Sequence, residues 1–525
     1  MRLSPLLLGT TIAVLALAQG ACDTSGFGKP RGGFTLAVDL KGKDDPAVVG
    51  SRLYPLPLLT DSPQPFRIVV RALDGNGNVD TSYNGYVRIS AKPGAIERIE
   101  SPDADGRSLR LVNGESPETE IRVTNAYGTT FIVADDLGYA PVSALGTPPP
   151  ACANGIDDDG DGKIDFPADE GCAFANDDTE AGGTYAQGAS APIFYRAPRV
   201  ADARGLKCTT PGDPSSCSST GKTPYPREQL FIDTGYHDQG DGTMAFDFDL
   251  VVTRISSDGF YVSDIRDGRG GFNNVFSFNF NSPPGMRVCD RLKTFAGTAT
   301  EFFGLTQISY PTWTLEPWDP QQRPCLVPEP TVLGPLDVPG DHGSGRLEIP
   351  PELASRTASL VRVMSTSDST IMVTPKLGSG DVPEQNGVFV PQADATNCDF
   401  NRDGLVDFTP GNPEERCSRA CTIDPECTEF SNFAARSTFR LTVADRNNVG
   451  VIQADASAAA DFKPMENRGK PLKSFTGTLH FFSGGAQYTI EARCKDDIVV
   501  DLNAQPLPSD KACVFPRTIV DENPQ

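Results

Sequence analysis

Apolar and polar positions alternate with a period of two along most of this 525-residue chain, and no stretch sustains the 3.6-residue period of a helix. Phe34-Thr-Leu-Ala-Val-Asp-Leu, Phe66-Arg-Ile-Val-Val-Arg-Ala-Leu, Tyr86-Val-Arg-Ile-Ser, Ser108-Leu-Arg-Leu-Val, Glu120-Ile-Arg-Val-Thr and Thr130-Phe-Ile-Val-Ala each read as a strand with one buried face. Asp74-Gly-Asn-Gly-Asn separates two of them with strong turn chemistry. Short strands with a turn every ten residues or so predict a β-sandwich over 34–146. Gly146-Thr-Pro-Pro-Pro-Ala then reads as a stiff linker, because consecutive prolines favour an extended backbone. Beyond it the pattern is again β-rich, interrupted by loops of Cys, Pro and Gly, and ends in a Pro-rich tail over 505–525 that holds Cys513.

Length changes the picture first. A chain of 525 residues exceeds one ordinary domain and divides into three or four. The expected class is therefore all-β and multi-domain, with 51 Gly and 45 Pro supplying turns. The expected boundaries are a leader over 1–21, a tether over 22–33, the sandwich over 34–146, an acidic loop over 147–186, two barrel-like domains over 187–345 and 346–504, and the tail.

The first 25 residues break the alternation. Arg2 gives a positive start, Leu6 to Ala18 an apolar stretch too short for a stable span, and Gly20-Ala21 small residues before Cys22. This segment resembles a bacterial lipoprotein signal, which implies that Cys22 carries a lipid and becomes the first residue of the mature protein. Ala16-Leu17-Ala18 is an alternative cleavage point that would leave a freely secreted protein. The chain has 13 cysteines, so setting Cys22 aside leaves an even 12 for disulfides in an oxidising compartment. Short separations favour the pairs Cys152–Cys172, Cys208–Cys217, Cys289–Cys325 and Cys494–Cys513, while Cys398, Cys417, Cys421 and Cys427 pair among themselves in an order the spacing leaves open. Zinc is the competing reading of those last cysteines, and the oxidising compartment favours disulfides.

The sharpest chemistry lies in two acidic loops. Asp157, Asp159, Asp161 and Asp165 occupy positions 1, 3, 5 and 9 of an EF-hand-like loop, with Gly162 at the turn and the Lys163 carbonyl at position 7. Alternate carboxylates in a tight turn converge hard oxygens on one point, which is calcium chemistry. Position 12 is Ala168, with Asp169 and Glu170 just beyond, and prolines at Pro150 and Pro167 exclude the flanking helices. Cys152 and Cys172 bracket the loop instead, an arrangement that resembles the Cys-bracketed acidic loops of exported bacterial proteins. The alternative is a solvated acidic linker. Asp399, Asn401, Asp403 and Asp407, with Gly404 and the Leu405 carbonyl, repeat the pattern after Cys398.

A second repeat is longer. Leu292-Lys-Thr-Phe-Ala-Gly-Thr-Ala-Thr-Glu-Phe-Phe-Gly-Leu-Thr-Gln307 aligns without gaps to Leu472-Lys-Ser-Phe-Thr-Gly-Thr-Leu-His-Phe-Phe-Ser-Gly-Gly-Ala-Gln487, with eight of sixteen positions identical. The separation is too long for a solenoid and indicates two copies of one domain. Gly259, Phe260, Tyr261 and Asp264, followed by Gly297, Thr298, Glu301, Gly304, Thr306 and Gln307, resemble the OB-fold modules that precede the catalytic domains of bacterial extracellular nucleases. The second copy keeps Gly477, Thr478, Gly484 and Gln487 but has His480-Phe481 where the pattern has Thr-Glu. The run around 72–136 resembles bacterial immunoglobulin-like repeats of surface proteins, which implies a stalk or spacer.

Charge and histidine content narrow the function. The net charge of −23 repels phosphate backbones, so nucleic acid is disfavoured as a partner. The three histidines, His237, His342 and His480, are scattered, no Gly-x-Ser-x-Gly elbow is present, and the nuclease catalytic domain has no counterpart. Phe276, Phe278 and Phe280 alternate onto one strand face, read here as filling a barrel core rather than stacking bases. The expected protein is a non-catalytic cell-envelope lipoprotein of the binding or structural class, calcium-stabilised, exported and lipid-anchored at the outer membrane or cell surface. Its expected partners are the membrane, through the lipid, and an envelope or surface protein. The alternatives are an accessory or degenerate member of an extracellular nuclease system, and a surface adhesin or carbohydrate-binding protein.

Overall fold

The computed structural model describes residues 30–42, 50–52, 55–58, 64–99, 106–138, 149–180, 182, 184–210, 213–269, 271–342, 347–374, 438–459, 461–464, 467, 469–482 and 487–515. Cys22, the second acidic loop (Asp399, Asn401, Asp403, Leu405, Asp407) and Cys398, Cys417, Cys421 and Cys427 lie outside these residues. The protein is all-β and multi-domain, and its chain separates into two compact units, one within 1–56 and 62–195 and the other within 57–61 and 196–525.

The first unit is a two-sheet sandwich. One sheet runs β4 (Ala95–Ile96), β6 (Thr119–Thr124), β2 (Gln64–Leu73), β1 (Pro30–Lys41), β8 (Thr184–Ala186). The other runs β10 (Ile193–Phe194), β7 (Thr129–Asp136), β3 (Tyr86–Lys92), β5 (Ser108–Arg110), with β9 (Gly188–Ala189) also on β7. The alternation read from sequence produces the core: Leu36, Val38 and Leu40 from β1 meet Phe66, Ile68, Val70 and Ala72 from β2, and Val87, Ile89, Ile132 and Ala134 from the facing sheet. Each of the Val, Leu, Ile and Phe side chains among them stabilises the fold by roughly 1.5–3 kcal/mol through area removed from water. Because β8, β9 and β10 complete these sheets, the first unit runs through the acidic loop to Tyr195 rather than giving way to a new domain at 187.

In the second unit, α1 (Val200–Ala203) and the disulfide-closed hairpin of β11 (Leu206–Cys208) and β12 (Cys217–Ser219) precede a barrel. The barrel comprises β13 (Gln229–Phe231), β16 (Leu250–Ser256), β17 (Gly259–Asp264), β18 (Asn274–Phe278), β19 (Arg291–Phe302) and β20 (Leu305–Glu316), and β14 (Tyr236–Asp238) and β15 (Met244–Phe246) form a side hairpin. Strands β16, β17 and β18 form an antiparallel meander, β18 runs parallel to β20, β20 pairs β19, and β19 closes on β16. That five-strand circuit with one parallel contact is the topology of an OB-like barrel.

The circuit recurs in a second barrel. Here β21 (Thr331–Leu333), β22 (Gly340–Asp341), α2 (Glu352–Arg356) and β23 (Leu360–Met364) lead into β24 (Thr370–Val373), β25 (Thr438–Ala444), β26 (Val449–Asp455), β27 (Pro471–Leu472), β28 (Ser474–Phe482), β29 (Gln487–Glu491) and the short β30 (Ile498–Val499). Strand β24 pairs β25, β25 pairs β26, β26 runs parallel to β29, β29 pairs β28, and β27 returns to β24. The ungapped repeat holds along β19 and β27–β28, and the return strands β20 and β29 pair in different registers. Thr300 faces Gln307 in the first hairpin, whereas His480 faces Thr489 in the second, so Gln307 and Gln487 are not structurally equivalent. The first hairpin turns tightly through Phe303 and Gly304, both with positive φ (47° and 85°).

The phenylalanine row does not fill the first barrel. Phe260 points inward, 5.9 Å from the Phe295 ring and 5.2 Å from Trp313. Its neighbour Tyr261 therefore points outward, and Phe276, opposite Tyr261 in register, joins it there with Leu305 and Ala358. The second barrel covers this face: the His480 ring lies 6.4 Å from Phe276. Phe278 is half-buried, and Phe280, past the strand end with φ 58°, is exposed.

Candidate metal centre

Cys152 and Cys172 are bonded and buried, with Cα atoms 5.8 Å apart, and they draw the acidic segment into a closed loop. Inside it the turn is shaped by carboxylates accepting backbone N–H groups. Asp157 accepts from Gly160 (2.7 Å) and Gly162 (3.0 Å), Asp159 from Asp161 (3.0 Å), and Asp161 from Lys163 (2.8 Å). Gly160 and Gly162 both have positive φ (79° and 89°), which the reversal requires. One oxygen from each of Asp157, Asp159 and Asp161 lies within 4.8 Å of the others. That spacing suits a calcium ion with bonds of about 2.4 Å.

Asp165 does not join that group. Its carboxylate turns back to cap the start of the loop, accepting from Asn154 N–H (3.0 Å) and Gly155 N–H (3.1 and 2.9 Å). The backbone at Asp165 is left-handed, φ 55°. The Lys163 ammonium sits 3.8 Å from Asp161 and 3.5 Å from Glu170, an exposed contact of little stabilising weight.

Two residues outside the expected ligand set organise the interior. Glu180, beyond the disulfide, accepts from Asp158 N–H (2.6 Å) through one oxygen and from Asp165 N–H (2.8 Å) through the other. It thereby fastens both arms of the loop. Asp169 is buried, and its Oδ1 accepts from Gly171 N–H at 2.6 Å. Spacing could not single out Glu180, because it lies outside the cysteine bracket in a stretch already rich in acids.

The loop borders a cleft of about 410 Å³ lined in part by Tyr83, Tyr86, Arg110, Asp158, Asp178 and Glu180. Burial pushes the Asp178 carboxyl well above the carboxylate range, and nearby Asp136 adds to the effect, while the Tyr86 N–H at 2.7 Å opposes it. Burial likewise raises Asp177 to about 6. Asp136 accepts from the Tyr83 hydroxyl at 2.6 Å, which ties this acidic patch to the sandwich core.

The other residues singled out from sequence serve the barrels. Asp264 holds Arg199 through two 2.7 Å bonds, Glu301 accepts from Thr223 N–H and the Thr306 hydroxyl, and Gln307 donates to Ser309. Besides Cys152–Cys172, the pairs Cys208–Cys217, Cys289–Cys325 and Cys494–Cys513 are bonded. No family model matches this chain, and no curated protein matches it in sequence.

Proposed function

We propose that this chain is a non-catalytic, exported envelope protein, anchored through a lipid on Cys22 and braced outside the cell by disulfides and calcium. The observation that carries the reading is the convergence of Asp157, Asp159 and Asp161 within a disulfide-closed loop. Weak sites of this kind, in the roughly 10⁻⁴ to 10⁻³ M range, fill only where calcium is plentiful, which is outside the cell. The bridged cysteines of both units point to the same oxidising setting. On this reading the β-modules position a binding surface for an envelope or surface protein partner away from the membrane.

Coverage of Tyr261 and Phe276 by the second barrel weighs against base stacking on that face, as does the net charge of −23. The test is fractionation of the wild type and Cys22→Ser in cells, combined with melting in millimolar calcium and in chelator. The reading expects the variant to leave the membrane fraction and the wild type to melt at lower temperature in chelator. A Cys22→Ser variant that stays with the membrane, or a melting curve indifferent to calcium, would overturn the corresponding half.

A further inference from the structure

Asp169 poses a problem that the exposed acidic rim does not. It is 2% exposed, and its Oδ2 is buried with no hydrogen-bond partner among the described residues. An oxygen of Asp169 and one of Glu180, itself 1% exposed, lie within 4.8 Å of each other and of the Cys172 sulfur. Both Glu180 oxygens accept backbone N–H groups, from Asp158 and Asp165. Two buried carboxylates within 4.8 Å of one another, with no cationic side chain paired to either among the described residues, are costly in a low-dielectric interior.

We propose that Asp169 and Glu180 hold a second calcium ion, buried beneath the loop and distinct from the ion on the Asp157, Asp159 and Asp161 rim. Oxygens up to 4.8 Å apart can be bridged by a cation with bonds of about 2.4 Å, the calcium–oxygen distance. The nearby sulfur is locked in the Cys152–Cys172 bridge and offers no thiolate, so the donor set is hard oxygen and selects calcium over zinc. Because Glu180 also grips Asp158 and Asp165, filling the inner site stiffens both arms of the loop and favours the rim ion. The inference rests on the calcium reading above and deepens it by adding a site.

The discriminating variant is Asp169→Asn, which keeps the shape and the acceptor for Gly171 N–H. Glu180→Gln is less informative, since its amide N–H₂ would face a backbone donor. Calcium titration by calorimetry, with Asp399→Asn/Asp403→Asn as the background to silence the other loop, should show two binding events in the parent chain. Asp169→Asn should weaken the tighter one at least tenfold, and Asp157→Asn/Asp159→Asn should weaken mainly the other. Melting supplies a second readout: in chelator Asp169→Asn should melt higher than its parent, having lost an uncompensated charge, and in calcium the order should reverse. Unchanged calcium binding in Asp169→Asn overturns the inner site. So does a melting loss equal with and without calcium, which would mark a purely structural residue. If Asp157→Asn/Asp159→Asn alone abolishes all binding, the rim site stands and the inner one falls. If the parent binds no calcium, the broader calcium reading of this loop falls as well.

Discussion

Arg254 on β16 of the first barrel, itself buried, forms an ion pair with the half-buried Glu491 at the end of β29 of the second. The same guanidinium donates to the Thr478 hydroxyl at 2.5 Å and lies 5.2 Å from the Tyr261 ring centre, and the Tyr261 hydroxyl donates to Glu491 at 3.0 Å. The face on which an OB-like barrel commonly receives a ligand is thus used to join two barrels. Repetition of the domain has turned a potential binding surface into an internal joint.

Breaking that joint at one side leaves a buried charge without its partner. Arg254→Met or Glu491→Leu should each destabilise the second unit by about 3–5 kcal/mol. The double variant Arg254→Met/Glu491→Leu should recover much of the loss, since neither charge remains to be desolvated. Urea unfolding of the four proteins measures the coupling. Strictly additive losses would mean that the two groups do not act as a pair.

The pair also sets an acid limit. Burial raises the Glu491 carboxyl, but the charges of Arg254 and His480 and the hydrogen bonds from Arg254 and Tyr261 outweigh it and hold it below its ordinary 4.5. Between the lowered folded value and 4.5 the unfolded chain binds more protons, so stability rises with pH across that window. The contribution is complete above 4.5 and disappears as pH falls through the folded value. Glu491→Gln should therefore be less stable than wild type at pH 7, with the gap closing as pH falls below 4.5 through the lowered folded value. A gap that stays constant from pH 7 to pH 3 would show that the charge is not what stabilises the joint.

The fold was legible because strand alternation and burial are the same information. Leu36, Val38 and Leu40 alternate in sequence and all face the sandwich core. The repeat also carried over into two strand circuits, but Phe302 pairs Leu305 in the first hairpin and Phe482 pairs Gln487 in the second, so the second copy's return strand is shifted relative to the first. What sequence could not supply was the direction of Tyr261 and Phe276. A strand face that is apolar reads alike whether it lines a barrel or meets a neighbour, and only the second barrel decides. At the acidic loop, spacing located Asp157, Asp159 and Asp161 but assigned Asp165 to the same cluster. Its left-handed backbone instead sends the carboxylate back to Asn154 and Gly155. Glu180 was invisible because tertiary closure, not local spacing, brings it to the loop.

Gly171 marks how tight that closure is. A Cβ built there would lie 1.5 Å from the Glu180 carbonyl oxygen, a backbone atom with no freedom to retreat. Gly171→Ala should therefore push the Glu180 segment away from the loop, costing about 1–3 kcal/mol or more. Calcium affinity should fall with it, because Glu180 no longer reaches the Asp158 and Asp165 N–H groups. Gly155→Ala is the control for backbone strain alone, since it has positive φ (77°) but open space around its Cβ. If the two variants behave alike in thermal melts and calcium titrations, contact with Glu180 is not the cause.

The Cys152–Cys172 bridge and the proposed calcium would restrain the same segment, so their effects on stability should not add. The bridge closes a separation of 20 residues and, in the chain-entropy account, stabilises by roughly 3 kcal/mol. Without it, Asp157, Asp159 and Asp161 must be gathered from a looser loop, and calcium binding must then pay the ordering entropy that the disulfide removes in advance. Cys152→Ser/Cys172→Ser should therefore lower the melting temperature and also weaken calcium binding, and saturating calcium should restore part of the loss. At ten times its dissociation constant a single ion contributes about 1.4 kcal/mol. The measurement is a double cycle of bridge against calcium, read by calorimetric melting at fixed protein concentration. Calcium affinity unchanged by loss of the bridge would mean that the acidic turn is organised by its own Asp-to-backbone hydrogen bonds, with the disulfide only closing the outer loop.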